Sequence, residues 1–164
     1  MKRLVRMTEL TVGAKAPLFS LLNQEGKQVS LSDFRGKWLV LYFYPKDDTP
    51  GCTIEAIDFT KYVAEFQKLG ATIIGVSPDT GKSHCKFQEK HTLKVELLSD
   101  ESKIMMEKYG VWGKKKFMGR EYMGVMRTTF LIDSQGKIAH IWENVKVNGH
   151  VEEVLEKVKG VQKN

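Results

Sequence analysis

The stretch Trp38-Leu39-Val40-Leu41-Tyr42-Phe43-Tyr44-Pro45-Lys46-Asp47-Asp48-Thr49-Pro50-Gly51-Cys52-Thr53 decides how this chain is organised. Its first half, Trp38 to Tyr44, is short, apolar and rich in aromatic residues, the pattern of a buried strand. Thr49-Pro50 then supplies a helix start, with a hydroxyl residue at the cap and proline at the first helical position. Cys52 falls in the first turn of that helix, where unpaired backbone N–H groups and the positive end of the macrodipole favour an anion. A thiol placed there is driven toward thiolate, its nucleophilic form. The stretch therefore predicts a strand, a turn, a helix and a reactive cysteine at the junction.

Working outward, strands and helices alternate. The helix that opens at Pro50 runs to about Leu69 and stops at Gly70, with Ile54, Ile57, Tyr62, Phe66 and Leu69 near helical spacing as its apolar face. Ala71–Ser77 reads as a second buried strand, Thr80–His91 as a helix, Val95–Leu98 as a strand and Glu101–Tyr109 as a helix. Gly113 to Gly124 reads as a glycine- and lysine-rich loop, and Val125–Ile132 with Lys137–Trp142 as a hairpin around Asp133-Ser134-Gln135-Gly136. A last amphipathic helix spans about Gly149 to Val158. Upstream, Ala16–Ser20 and Lys27–Leu31 flank a turn-rich Asn23-Gln24-Glu25-Gly26, and Ser32–Gly36 makes a single helical turn closed by glycine. The alternation predicts an α/β fold of three layers with a mixed sheet, in one domain over residues 11–164 after an extension at residues 1–10.

Bulk properties exclude several classes. In 164 residues, 41% hydrophobic and 28% charged side chains suit an ordinary globular domain. No apolar run approaches the ~20 residues that span a bilayer. Met1-Lys2-Arg3-Leu4-Val5-Arg6 is basic but no apolar segment follows, so a secretory signal is not supported and a cytoplasmic location is expected. Met7 serves equally well as a start. The net charge of +6 is scattered, apart from Lys114-Lys115-Lys116 and nearby Arg120, which reads as a solvated surface rather than a nucleic-acid site. The two cysteines, Cys52 and Cys85, form neither a secreted disulfide framework nor the CxxC of a disulfide reductase. His84, Cys85 and His91 cluster in sequence but offer too few ligands, too widely spaced, for a zinc site.

Pro45-x-x-x-Thr49-x-x-Cys52 resembles the active-site signature of the peroxiredoxins, and Asp48-Thr49-Pro50-Gly51-Cys52-Thr53-x-Glu55 resembles their bacterioferritin-comigratory-protein (PrxQ) branch. Arg127-Thr128-Thr129-Phe130-Leu131-Ile132-Asp133 with Gly136-Lys137 is similar to the second signature of that family; Val111-Trp112-Gly113 and Phe117-Met118-Gly119-Arg120 resemble the same branch. The likeness runs from about Thr11 to about Lys159. It implies a thioredoxin-like fold, a central mixed sheet flanked by helices with an N-terminal hairpin. It also implies an antioxidant thiol peroxidase without metal or cofactor, a monomer by default with a weak dimer as the alternative, which reduces hydrogen peroxide and organic hydroperoxides. Electrons would come from thioredoxin, glutaredoxin or a small thiol.

The same resemblance assigns Cys52 as the nucleophile that becomes a sulfenic acid and Arg127 as the cation facing the breaking O–O bond. Thr49 becomes a hydroxyl that bonds sulfur or peroxide besides capping the helix, and Pro45 a shield for the sulfur. By its residue pattern alone, Arg127 would be a solvated charge in an edge strand, and Glu55 a complement to the helix dipole. Many members of the branch carry a resolving cysteine five positions after the nucleophile, where this chain has Ile57. Cys85 then either resolves the sulfenic acid or is a spectator while an external thiol does so. The first route needs the two Cα atoms within about 7 Å and local unwinding of both helix starts. The alternative to an enzyme is a non-catalytic binding module or holdase of the same fold.

Overall fold

The computed structural model describes Leu10 to Gln162. In chain order the elements are β1 (Ser20–Asn23), β2 (Gln28–Ser30), a 3₁₀ turn (Leu31–Phe34), β3 (Trp38–Phe43), α1 (Pro50–Lys68), β4 (Ala71–Ser77), α2 (Gly81–His91), β5 (Glu96–Ser99), α3 (Ile104–Lys108), β6 (Trp112–Phe117), β7 (Arg120–Val125), β8 (Thr128–Ile132), β9 (Ile138–Trp142) and α4 (His150–Gln162). Seven strands make one sheet in the order β2-β1-β5-β4-β3-β8-β9, and β6-β7 form a separate ribbon. β3, β4 and β5 are parallel, while β8 runs antiparallel to β3. The expected α/β fold with its mixed sheet and N-terminal hairpin is the fold observed. The proposed extension over residues 1–10 lies, except for Leu10, outside the described residues.

The central strand explains the continuous apolar run of the sequence. Val40, Tyr42 and Tyr44 point into the core under α1, α2 and α4, whereas Leu39, Leu41 and Phe43 point into the core shared with Met105, Met106 and Tyr109 around α3. A strand covered on both faces has no polar side to alternate with. Gly75, opposite Tyr42 in the β3–β4 register, is required by that packing: a Cβ there would lie 2.8 Å from Tyr42 Cζ. The Tyr42 ring instead stacks on Phe59 at 4.7 Å between centroids.

Five expectations need correction. The segment 113–124 is not a loop but the antiparallel ribbon β6–β7, closed by Met118 and Gly119, both at positive φ (52° and 78°) as a two-residue hairpin turn demands. Val125–Ile132 is not one strand, because Met126 and Arg127 break it where the ribbon joins the sheet. The first strand is Ser20–Asn23 rather than Ala16–Ser20, and the helix expected over Glu101–Tyr109 shrinks to Ile104–Lys108. Finally, the buried face of α1 is Cys52, Glu55, Ala56, Phe59 and Phe66, while Ile54 and Ile57 are exposed. A glutamate on the inner face and two isoleucines on the outer one shifted the apparent stripe.

Candidate active site

Tyr44 extends β3 by donating its N–H to the Val76 carbonyl at 3.0 Å, and a five-residue turn then leads into α1. Thr49 takes the extended cap conformation, Pro50 opens the helix, and the Thr49 carbonyl accepts the Thr53 N–H at 2.8 Å. Cys52 lies in this first turn and is 1% exposed. Because β8 pairs antiparallel with β3, with Phe43 opposite Thr128, the residue just before β8 arrives at the same end of the sheet as the turn. That residue is Arg127, whose carbonyl is fixed by the Val145 N–H at 3.0 Å. Its guanidinium donates through Nη2 to Cys52 Sγ at 3.3 Å and through Nη1 to Glu55 Oε1 at 2.6 Å. A Cβ at Gly51 would meet Nη2 at 3.2 Å, so the bare backbone there lets the guanidinium lie across the helix start. Arg127 is therefore not a solvated edge charge.

The electrostatics follow from burial. Glu55 is fully buried, and loss of hydration pushes its carboxyl up to about 7, opposed by Arg127 and reinforced by Asp58. Burial also works against the Arg127 charge, but Glu55 and Cys52 outweigh it and hold the guanidinium above its ordinary value. Glu55 Oε2 and the Tyr42 hydroxyl have no protein hydrogen-bond partner. On the α4 side, burial first and the Arg127 charge second push the His150 imidazole down to about 4. The ring is then neutral, and its Nε2 is hydrogen-bonded to the Thr129 hydroxyl at 2.9 Å. The expectation that Glu55 only complements the helix dipole fails: it sits one turn after Cys52 on the inner face, as the inner partner of Arg127.

Thr49 occupies the cap position but its side chain makes no cap hydrogen bond, contrary to expectation. Its hydroxyl donates to the Lys46 carbonyl at 2.8 Å, which spends the proton and leaves the oxygen lone pairs as acceptors. Pro45 is half-buried at the start of the same turn.

The chain as a whole has known relatives. The AhpC/TSA family matches residues 12–141. Peroxiredoxin Bcp of Bacillus subtilis is 50% identical over 150 residues, covering 92% of this chain and 96% of the relative. The chain belongs to the AhpC/TSA family of peroxiredoxins, in the Bcp/PrxQ branch. Peroxiredoxin Bcp of Escherichia coli is 44% identical over 149 residues, covering 91% of this chain and 96% of the relative. Among solved structures, a cysteine mutant of Xylella fastidiosa PrxQ superposes with a TM-score of 0.90 at 36% identity, covering 94% of this chain and 99% of the other. A Xanthomonas campestris bacterioferritin comigratory protein, described for its alkyl peroxide reduction activity, gives 0.84 at 38% identity, covering 93% and 98%. As a peroxiredoxin, the chain is a thiol peroxidase that reduces hydroperoxides at the expense of a thiol. No helix among the described residues is long and apolar enough to cross a membrane.

In this peroxiredoxin the turn before α1 is fastened to α2. Asp47 Oδ2 bonds His84 Nδ1 at 2.8 Å and accepts the Ser83 hydroxyl at 2.7 Å, and Oδ1 accepts the Tyr44 hydroxyl at 2.6 Å. Asp47 N–H donates to Asp79 Oδ2 at 2.8 Å. Asp48, at φ 59°, bonds Lys90 Nζ at 2.7 Å and His91 Nε2 at 2.8 Å, and these two bonds hold its carboxyl below the usual carboxylate range. Nothing in the sequence pattern singled out Asp47, and His84 drew notice only beside Cys85 and His91, not as a partner of Asp47. His84, Cys85 and His91 do not converge: His84 faces Asp47 and the Leu98 carbonyl, His91 faces Asp48, and the Cys85 thiol donates to the Gln24 carbonyl at 2.9 Å. Both cysteines are free, Cys85 half-buried on α2.

Proposed function

We propose that Cys52 is the peroxidatic nucleophile and that Arg127, Thr49 and Pro45 complete its site, with the Arg127 Nη2 to Cys52 Sγ contact of 3.3 Å as the observation that carries the reading. The Cys52 thiolate attacks one peroxide oxygen, the S–O bond forms as the O–O bond breaks, and the other oxygen leaves as hydroxide or alkoxide. Sulfur is oxidised to the sulfenic acid, and the leaving oxygen takes a proton to become water or alcohol. The guanidinium, fixed by Glu55 on its inner side, stabilises the charge that moves from sulfur to the leaving oxygen. Thr49, with its hydroxyl proton committed to Lys46, accepts the proton of the incoming peroxide and turns the O–O bond toward sulfur. Pro45 limits water at the turn.

Hydrogen peroxide and alkyl hydroperoxides are the substrates. The sulfenic acid condenses with a thiol, releasing water and leaving a disulfide. Cys85 is the intramolecular candidate, and thioredoxin, glutaredoxin or a small thiol the external reductant. The protein acts as a cytoplasmic monomer, with residues 11–164 as its one domain. Intact-mass analysis after one equivalent of hydrogen peroxide tests the scheme. Loss of two hydrogens, absent in Cys85→Ser, establishes the Cys52–Cys85 disulfide, whereas gain of one oxygen in both proteins assigns resolution to an external thiol. A Cys52 that acquires neither oxygen nor disulfide sinks the proposal.

A further inference from the structure

The β6–β7 ribbon stands apart from the seven-stranded sheet, and its surface is neither core nor ordinary polar exterior. Four of the ten exposed large apolar side chains among the described residues belong to it: Phe117, Met118, Tyr122 and Met123. Phe117 is 66% exposed, and Met118, at 87%, is the most exposed of the ten. Met118 also forms the turn with Gly119, at φ 52°. Asparagine before glycine is the favoured pair in such a turn, because a longer L side chain is strained in the left-handed region. The chain gives up turn stability here to set a methionine side chain in water at the ribbon tip.

Charge surrounds that tip. Lys114, Lys115, Lys116 and Arg120 set four cations against the one carboxylate of Glu121, a net +3 in a chain of +6. Side chains alternate along each strand, and residues opposite one another share a face. Phe117 with Arg120 and Lys115 with Tyr122 therefore make one face of two aromatic rings and two cations, without an acid. Lys114, Lys116, Glu121 and Met123 make the other, where Glu121 lies 4.0 Å from Lys114. An apolar tip ringed by cations fits the boundary between headgroups and acyl chains of an anionic bilayer. The tip enters that boundary while the cations, within about 10 Å of it along the strands, stay among the headgroups. A second copy of this chain would set one cationic ribbon against another, and the phosphates of a nucleic acid would leave Met118 in water.

We propose that the ribbon tip docks this protein on anionic membrane surfaces, with Phe117 and Met118 entering the lipid and Lys114, Lys116 and Arg120 pairing with headgroup phosphates. The inference goes beyond the peroxidase reading and does not depend on it. The test is co-sedimentation of the full chain with vesicles of phosphatidylcholine alone and of phosphatidylcholine mixed with phosphatidylglycerol. It compares the wild type, Met118→Asn and a double variant, Lys114→Gln with Lys116→Gln. The wild type is expected to partition about tenfold better onto the anionic vesicles, an advantage that shrinks with added salt. Met118→Asn restores the favoured turn, so it should keep or raise the melting temperature while weakening anionic-vesicle binding about fivefold. The double variant should erase most of the preference for anionic lipid. Equal partition of the wild type onto both vesicles overturns the proposal. So does a Met118→Asn protein that binds anionic vesicles as well as the wild type, since that leaves only diffuse charge attraction. Light scattering in which Met118→Asn splits a wild-type dimer assigns the tip to a second copy, and duplex DNA that binds the wild type more tightly than the anionic vesicles do assigns the cations to nucleic acid; either result overturns it as well.

Discussion

Cys52 and Cys85 occupy similar addresses and have different surroundings. Each lies near the start of a helix that follows one of two adjacent parallel strands, β3 and β4. Cys52 is buried with a guanidinium nitrogen 3.3 Å from its sulfur, whereas the Cys85 thiol is half-buried and donates its proton to a backbone carbonyl. One sulfur faces a cationic donor, the other a neutral carbonyl acceptor. Two similar places near helix starts thus give two different environments, and what touches the sulfur separates them.

The largest expected effect comes from removing the distinction altogether. Cys52→Ser should lower peroxide consumption by at least about three orders of magnitude, and a stopped-flow assay showing residual turnover within tenfold of wild type would count against Cys52. Next is Arg127→Met, which strips Cys52 of its cation and makes it resemble Cys85. A loss of about 10²–10³ in kcat/KM is expected, with Arg127→Lys recovering only part, because one ammonium cannot reach Glu55 and sulfur with the same planar geometry. Full recovery by lysine would show that charge alone suffices.

Glu55→Gln sharpens the contrast through pH. With its carboxyl at about 7, buried Glu55 holds a proton in the folded chain at pH values where the unfolded chain has released it. Stability is therefore lost as pH rises from the ordinary carboxylate range through about 7, by on the order of 3 kcal/mol. Because the opposite contribution of His150 is common to both proteins, urea unfolding at pH 5 and pH 8 should show the wild type losing more, or gaining less, stability than Glu55→Gln; an equal change in both would place the titration elsewhere. His150 behaves in the opposite sense. Its folded value of about 4 lies below the ordinary imidazole value, so the unfolded chain takes up the proton first and stability is lost as pH falls from about 6.5 to about 4. His150→Gln should flatten that acid limb. The smallest effect is expected for Cys85→Ser on the first oxidation of Cys52, about twofold or less by single-turnover kinetics, with its influence confined to the later disulfide step. A tenfold slower first oxidation would tie Cys85 to the sulfur chemistry itself.

Much of this was legible in the sequence where two patterns agreed. The doubly apolar strand Trp38–Phe43 and the Thr49-Pro50 start fixed the Cys52 junction, and the resemblance brought Arg127 to it. The β6–β7 ribbon was hidden because both of its faces are largely exposed, leaving no apolar alternation, and its turn is Met-Gly rather than Asn-Gly. Glu55 was hidden because an acid in a helix's first turn has a sufficient explanation in the dipole, and its real partner is 72 residues away. Asp47 and His84 form a contact across 37 positions that no local pattern encodes.

The ties from Asp47 and Asp48 to α2 also set a clock. A buried sulfur must leave its socket before it meets another thiol, and the turn that releases it is latched to Ser83, His84, Lys90 and His91. On the proposed mechanism, a Cys52 sulfenic acid would wait on an unlatching step, however abundant the reductant. During that wait a second peroxide competes for the same sulfur, and the sulfinic acid it makes does not return. On that mechanism, the firmness of a few hydrogen bonds would set how much oxidant the molecule endures before a recyclable enzyme becomes a spent one.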